Sequence, residues 1–253
     1  MLQLYTARNS ICTQKVFITL HEKGLAWEQK IIDLFNNEQY RPEYLKINPK
    51  GVVPSLVHDG SPVIESTLIC EYLDEVFPEP ALRPADALGR ARMRLWSKAI
   101  DEGIFEATRE ISFSAMFRER MRNMTEEQRQ TRFRNVGDPE RRARYISTYE
   151  EGVESVYVFQ GIANYEKLFK SMDEALAAGS PWMTGERFTL GDINLMPFVA
   201  RIEYLDLLPV WTADRPRVLE WWARAKARPS FVQAIASQLA PEEVAAMKKH
   251  GGA

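Results

Sequence analysis

Hydrophobic and polar positions change rhythm once along this chain. The opening residues Leu2-Gln3-Leu4-Tyr5 alternate, which predicts a short half-buried strand. Cys12, Val16, Phe17 and Leu20 then recur at helical spacing, and Gly24 follows as a stop, so residues 11–23 are expected to be a helix. Residues 27–33 (WEQKIID) suit a second strand. Pro49, Gly51 and Pro54 interrupt regular structure. Ser55 to His58, the turn pair Asp59-Gly60, and Val63-Ile64 predict a hairpin. Leu68, Ile69, Tyr72, Leu73 and Val76 predict a helix over residues 66–77 with those side chains on one side.

Beyond residue 87 the period is helical throughout. Leu88, Ala91, Leu95, Trp96, Ala99 and Gly103 form a first stripe, and further helices are expected from Pro139, over 164–178 and over 216–228. Thr189 and Asp192 have capping-box spacing before the apolar run Ile193 to Val199, with Asp where Glu or Gln is usual. Lys248 to Ala253 are expected to be mobile. The order βαβ, hairpin, helix fits a thioredoxin-like α/β domain over residues 1–79. A Pro- and Ala-rich linker over 80–87 and an all-α domain over 88–253 complete the expected plan.

Composition narrows the function classes. A hydrophobic share of 45% and a charged share of 27% are those of a water-soluble globular chain. A net charge of -2 gives no electrostatic drive toward nucleic acid or an anionic membrane. Nine arginines lie between positions 118 and 144, but Glu119, Glu126, Glu127, Asp138 and Glu140 interleave them, which reads as a solvated helical face laced with ion pairs. The absence of an apolar run of about 18 residues argues against a membrane span. Met1 to Tyr5 lack the pattern of a secretory signal. Cys12 and Cys70 are too few for a disulfide framework, so a reducing cytoplasm is the expected setting. His21, His58, His250 and the two cysteines show no ligand spacing, so no metal site is expected.

Three short patterns carry chemistry. Asn9-Ser10-Ile11-Cys12 sits where the first strand meets the first helix, and the positive end of a helix stabilises a thiolate. Taken alone, Ser10 also suits a plain N-cap and Cys12 a small buried apolar side chain. In Asn48-Pro49-Lys50-Gly51-Val52-Val53-Pro54, a cis Pro54 would turn the Val53 peptide outward to pair with an extended ligand. Glu65-Ser66 opens the next helix, where Glu65 can accept from an ammonium and Ser66 with the helix N-terminus can hold a carboxylate.

In this order and spacing, and above all in NPKGVVPSLVHDG, PVIEST and ICEYLDE, the chain resembles the glutathione transferase superfamily over most of its length. The resemblance implies the glutathione transferase fold, with glutathione as cosubstrate. It implies that the Val53 backbone beside cis-Pro54 pairs with the cysteinyl part of glutathione, that Glu65 and Ser66 hold the γ-glutamyl end, and that Lys50 reaches the glycyl carboxylate. It also implies a homodimer, and a folding role for Thr189 to Asp192. Ser10-Ile11-Cys12 is similar to the S-x-C motif of zeta-type isomerases and of bacterial tetrachlorohydroquinone reductive dehalogenases. The dehalogenases are also resembled in the charged insertion near 138–158 and from Ala200 to Phe231. Asn9-Ser10, HEKGL, INPKG and ICEYLDEVFPEP resemble the bacterial lignin β-etherases.

Two chemistries fit these residues. In the first, Ser10, with helix N–H groups and Asn9, stabilises the glutathione thiolate for attack on a small hydrophobic or aromatic electrophile, such as a β-aryl ether. Phe105, Phe113, Met116, Phe117 and Tyr204 are candidates to line the electrophile's site, although an aromatic stripe also suits a core. In the second, Cys12 is a redox thiol that forms a mixed disulfide, as reductive dehalogenation or thiol transfer requires. A glutathione-binding interaction module without turnover is a third possibility.

Overall fold

The structure, a computed structural model, describes residues 1–7 and 9–251. Arg8, Gly252 and Ala253 lie outside that description, as do the side chains of Arg120 and His250. The N-terminal elements are β1 (Leu2–Thr6), α1 (Ile11–Glu22), β2 (Glu28–Ile31), the short α2 (Pro42–Leu45), β3 (Ser55–His58), β4 (Ser61–Ile64) and α3 (Ser66–Val76). The sheet runs β2-β1-β3-β4, with β1 parallel to β2 and antiparallel to β3. Leu4 pairs with Leu56 across the central strands, and both are fully buried. Val16, Ile18 and Leu20 of α1 and Ile69, Cys70 and Leu73 of α3 close the core. This is the expected thioredoxin-like arrangement. Asp59, at φ 48°, and Gly60, at φ 84°, make the β3–β4 turn.

The rest is helical: α4 (Ala87–Ala99), α5 (Phe105–Ser112), α6 (Arg118–Arg122), α7 (Glu126–Asn135), α8 (Pro139–Glu150), α9 (Val156–Leu176), α10 (Leu190–Tyr204), α11 (Pro209–Thr212), α12 (Pro216–Lys226), α13 (Pro229–Ala234) and α14 (Pro241–Gly251). Wide π-type turns, Ile100–Ile104 and Phe113–Phe117, flank α5. Among the described residues the only strand-like feature here is the bridge Trp182–Gly185, and no helix is long and apolar enough to cross a membrane. Contacts group the chain into two compact units. One holds Met1–Ser97, Ser180–Pro197 and Trp221–Leu239; the other holds Lys98–Gly179, Phe198–Glu220 and Ala240–Ala253.

In the first unit, Asp192 makes the carboxylate half of the anticipated capping box, while the Thr189 hydroxyl caps Gly191 in place of Asp192. Its Oδ2 accepts from the Thr189 N–H at 3.0 Å, and the Thr189 hydroxyl oxygen accepts from the Gly191 N–H at 3.3 Å. Asp192 Oδ1 also accepts from the Met183 N–H and from Trp221 Nε1, each at 2.9 Å. A fully buried carboxylate is tolerable because donors surround it. Arg228 grips Glu22 through two 2.7 Å bonds while its guanidinium lies 3.9 Å over the Phe188 ring, which ties α13 to α1. In the second unit, Phe169 stacks on a fully buried Tyr165 and Trp211 packs tilted against it, and the Tyr165 hydroxyl lies 2.5 Å from Thr108 Oγ1. The charged segment folds as α7 and α8. Arg129 pairs with Glu126, and Arg144 pairs with Glu140 at 2.9 Å.

Three expectations are corrected. Leu68 and Val76 face outward on α3, at 57% and 41% exposure, because Ile69, Cys70 and Leu73 supply the inward face. Leu88 and Leu95 are likewise exposed on α4. Its inward residues are Met93 and Ser97, whose hydroxyl accepts from Asn194 Nδ2 at 2.7 Å. Helix α9 starts eight residues before the expected 164, capped by the Ser155 hydroxyl, which accepts from the Tyr157 N–H. Lys248 to Gly251 lie within α14, and Gly252 and Ala253 lie outside the described residues.

Candidate functional site

The loop from Asn48 to Ser55 is built around the peptide edge at Val53. The Val53–Pro54 bond is cis, as expected from the sequence. Behind it, Asn48 Nδ2 donates to the Val52 carbonyl at 2.9 Å and to Ser55 Oγ at 3.0 Å. Tyr44 OH lies 2.6 Å from the same carbonyl and 2.9 Å from Ser55 Oγ. Gly51, at φ +60°, packs so closely on Tyr40 that an added Cβ would lie 2.8 Å from its ring. The half-buried Val53 offers a backbone N–H and C=O that make no hydrogen bond with other described residues. An unpaired edge of this kind can take an extended peptide.

Ser10 is the N-cap of α1, at φ -79° and ψ 112°, and its hydroxyl oxygen accepts from the Thr13 N–H at 3.3 Å. The capping role foreseen for it is therefore real. It uses a lone pair of the hydroxyl and leaves the hydroxyl proton to be donated elsewhere, so capping and donation are compatible. Asn9 precedes it in the left-handed region, at φ 58°. Cys12 is half-buried in the first turn, whereas Cys70 is buried in α3.

At the start of α3 the N-cap is Glu65, and its side chain makes no capping bond. Glu65 sits at φ 70°, a conformation that costs on the order of 1–3 kcal/mol for a residue other than glycine. Its carboxylate accepts from Lys50 Nζ at 2.6 Å, in a pair whose side chains are 46% and 64% exposed. Such a pair contributes about 1 kcal/mol or less, so either partner is readily redirected to a ligand. Ser66 is buried, and its hydroxyl has no hydrogen-bond partner among the described residues.

Sequence reasoning missed two contributors. Lys15 is fully buried, one helical turn beyond Cys12, and donates to Thr67 Oγ1 at 2.9 Å, which joins the second turn of α1 to the first turn of α3. Tyr44, ascribed no role beforehand, holds the loop from behind. A lysine inside a helical apolar stripe, and a tyrosine four residues before Asn48, were the available signals.

The candidates for the electrophile's side lie in the second unit. Phe113 is buried in a cluster with Met121 and Phe133, its ring 5.3 Å from Tyr145, and Phe117 packs on that cluster. Phe105, Met116 and Tyr204 are half-buried; the Arg109 guanidinium lies 5.6 Å over Phe105, and burial raises the Tyr204 phenol.

Residues 4–81 match the model of the glutathione S-transferase N-terminal domain, and residues 131–224 match that of the C-terminal domain. Protein LigF of Sphingobium is 50% identical over 103 residues, a match that spans 40% of this chain and 40% of LigF. The crystal structure titled beta-etherase LigF superposes with a TM-score of 0.82 at 29% identity, covering 93% of this chain and 99% of that one. Maleylacetoacetate isomerase of Pseudomonas aeruginosa is 30% identical, covering 92% of this chain and 95% of its own. Tetrachloro-p-hydroquinone reductive dehalogenase of Sphingobium chlorophenolicum is 29% identical, covering 91% and 94%. With both domain models matched in order and near-complete coverage by the isomerase, this chain belongs to the glutathione S-transferase family.

Proposed function

We propose that the chain is a glutathione transferase that raises the nucleophilicity of the glutathione thiol toward small hydrophobic or aromatic electrophiles. The observation that carries this reading is the Val53 peptide edge, without a hydrogen-bond partner among the described residues, in the same unit as the Ser10 cap. Glutathione docks its cysteinyl backbone on the Val53 N–H and C=O. Glu65 takes the γ-glutamyl ammonium, Ser66 with the first turn of α3 takes its carboxylate, and Lys50 takes the glycyl carboxylate. Ser10 donates its hydroxyl proton to the sulfur, assisted by Asn9 and the positive end of α1. The thiol proton passes to solvent and the thiolate attacks carbon. A C–S bond forms, the bond to the leaving group breaks, and the departing anion takes up a proton from solvent.

Residues 1–79 supply glutathione binding in this scheme, with 80–87 as linker, and residues 88–253 supply the electrophile's side, where Phe105, Met116, Phe117 and Tyr204 form the apolar wall and Phe113 backs it. A β-aryl ether heads the candidate electrophiles, because the LigF structure matches nearly end to end. The exposed Leu68, Val76, Leu88 and Leu95, and separately Val156, Phe159 and Ile162, support a homodimer. A cytoplasmic setting suits two cysteines kept as thiols.

Turnover of glutathione with a generic aryl halide and with a β-aryl ether tests the reading. Ser10→Ala is expected to lose most conjugation while Cys12→Ala keeps it. The reverse pattern, with a glutathione adduct on Cys12 after treatment with oxidised glutathione, would transfer catalysis to Cys12. Tight glutathione binding without any turnover would reduce the chain to a binding module.

A further inference from the structure

The side chains behind the Val53 edge form a closed hydrogen-bond set in which every proton has one destination. Carbonyl oxygens only accept, so Tyr44 must donate its single proton to Val52 O, 2.6 Å away. Asn48 spends both amide protons, on Val52 O at 2.9 Å and Ser55 Oγ at 3.0 Å, and its Oδ1 accepts from the Lys50 N–H at 3.1 Å. Ser55 is then left to donate to the Tyr44 oxygen, 2.9 Å away. All three side chains are buried: Tyr44 is 4% exposed, and Asn48 and Ser55 are fully enclosed. Burial pushes the Tyr44 phenol up to about 12, which keeps it a donor through the neutral range.

The gripped carbonyl belongs to the same planar peptide unit as the Val53 N–H. In a trans peptide the two point in opposite directions, so fixing Val52 O from one side fixes the aim of the Val53 N–H on the other. Two hydrogen bonds to the carbonyl also polarise that N–H and make it a better donor. The geometry points to Tyr44 as a positioning residue that, with Asn48 and Ser55, orients the Val52–Val53 peptide and thereby sets affinity for glutathione, not the rate at its sulfur. This rests on the proposed docking of glutathione at Val53.

The test compares wild type, Tyr44→Phe, Ser55→Ala and the double variant by glutathione calorimetry and by steady-state kinetics, with circular dichroism on each. Tyr165→Phe serves as a control, because it deletes a similarly buried hydroxyl in the other unit. Tyr44→Phe is expected to weaken glutathione binding roughly fivefold, the loss of one net hydrogen bond, with kcat at saturating glutathione within about twofold of wild type. The double variant should weaken binding less than the product of the single effects, since both break one circuit. If Tyr44→Phe fails to fold, Ser55→Ala carries the same expectation. The inference is overturned if wild type binds but both single variants match it, if kcat falls with KM unchanged, or if Tyr165→Phe weakens binding equally. A wild type that does not bind glutathione overturns the underlying docking instead.

Discussion

Ser10→Gly separates the two jobs assigned to one hydroxyl. The Ser10 oxygen caps α1 through the Thr13 N–H at 3.3 Å, and in the proposed mechanism its proton is donated to the glutathione sulfur. Replacing an N-cap serine by alanine costs ~0.5–2 kcal/mol of stability, but by glycine only a few tenths, so glycine leaves the helix start nearly intact. The donated bond goes to an anion, where such bonds contribute about 1.5–3 kcal/mol. At about 1.36 kcal/mol per pKa unit, its loss raises the pKa of the bound thiol by roughly 1–2 units. The assay is thiolate absorbance of the glutathione complex titrated against pH. Cys12→Ala is made in parallel, so that the protein's own half-buried thiol does not contribute. Below the wild-type pKa the bound thiolate fraction should fall about 10- to 100-fold, and conjugation with it, while the unfolding midpoint moves little. A titration curve unmoved in Ser10→Gly, or one displaced only by Cys12→Ala, would refute the assignment.

Three further outcomes follow. Asp192→Ala strips four acceptor contacts from buried donors and should destabilise the fold by about 4 kcal/mol in urea titrations, while folded protein keeps its glutathione affinity; a loss below about 1 kcal/mol would contradict the folding role. Lys50→Met should leave stability within about 0.5 kcal/mol, because its pair with Glu65 is exposed, yet weaken glutathione binding several-fold; unchanged binding would remove Lys50 from the site. Burial raises the Glu110 carboxyl above its ordinary value, against the pull of Arg109 and Arg144. The folded state therefore holds this proton more tightly than the unfolded state. Its contribution makes stability fall as pH rises from the unfolded glutamate value to the folded one. Glu110→Gln should flatten that part of a pH-resolved unfolding curve, and an unaltered slope would show that Glu110 does not titrate there.

Much of the first unit was legible because local signals agreed. The β1 alternation, the Asp59-Gly60 turn and the sequence Val53-Pro54 each dictate backbone geometry within a few residues. The stripes of α3 and α4 misled because those helices carry two apolar faces. Periodicity records that a face is apolar but not what covers it, so Leu68 and Leu95 were indistinguishable from Ile69 and Met93. The start of α9 was hidden for the same reason: Val156, Phe159 and Ile162 are exposed, whereas Val158, Gly161 and Tyr165 face inward. Within the site, residues that offer a peptide or a helix end were readable, since their role follows from position along the chain. Tyr44 and Lys15 stand out in the sequence as residue types, but their partners, Val52 within the same loop and Thr67 on another helix, are set by the folded backbone.

The Val53 edge is tested most directly by amide hydrogen exchange with and without saturating glutathione. Docking on that peptide predicts exchange at the Val53 N–H slowed by more than about tenfold in the complex, because an N–H without an acceptor among the described residues acquires one. Bound glutathione with Val53 exchanging at its free rate would place the ligand elsewhere and contradict the account.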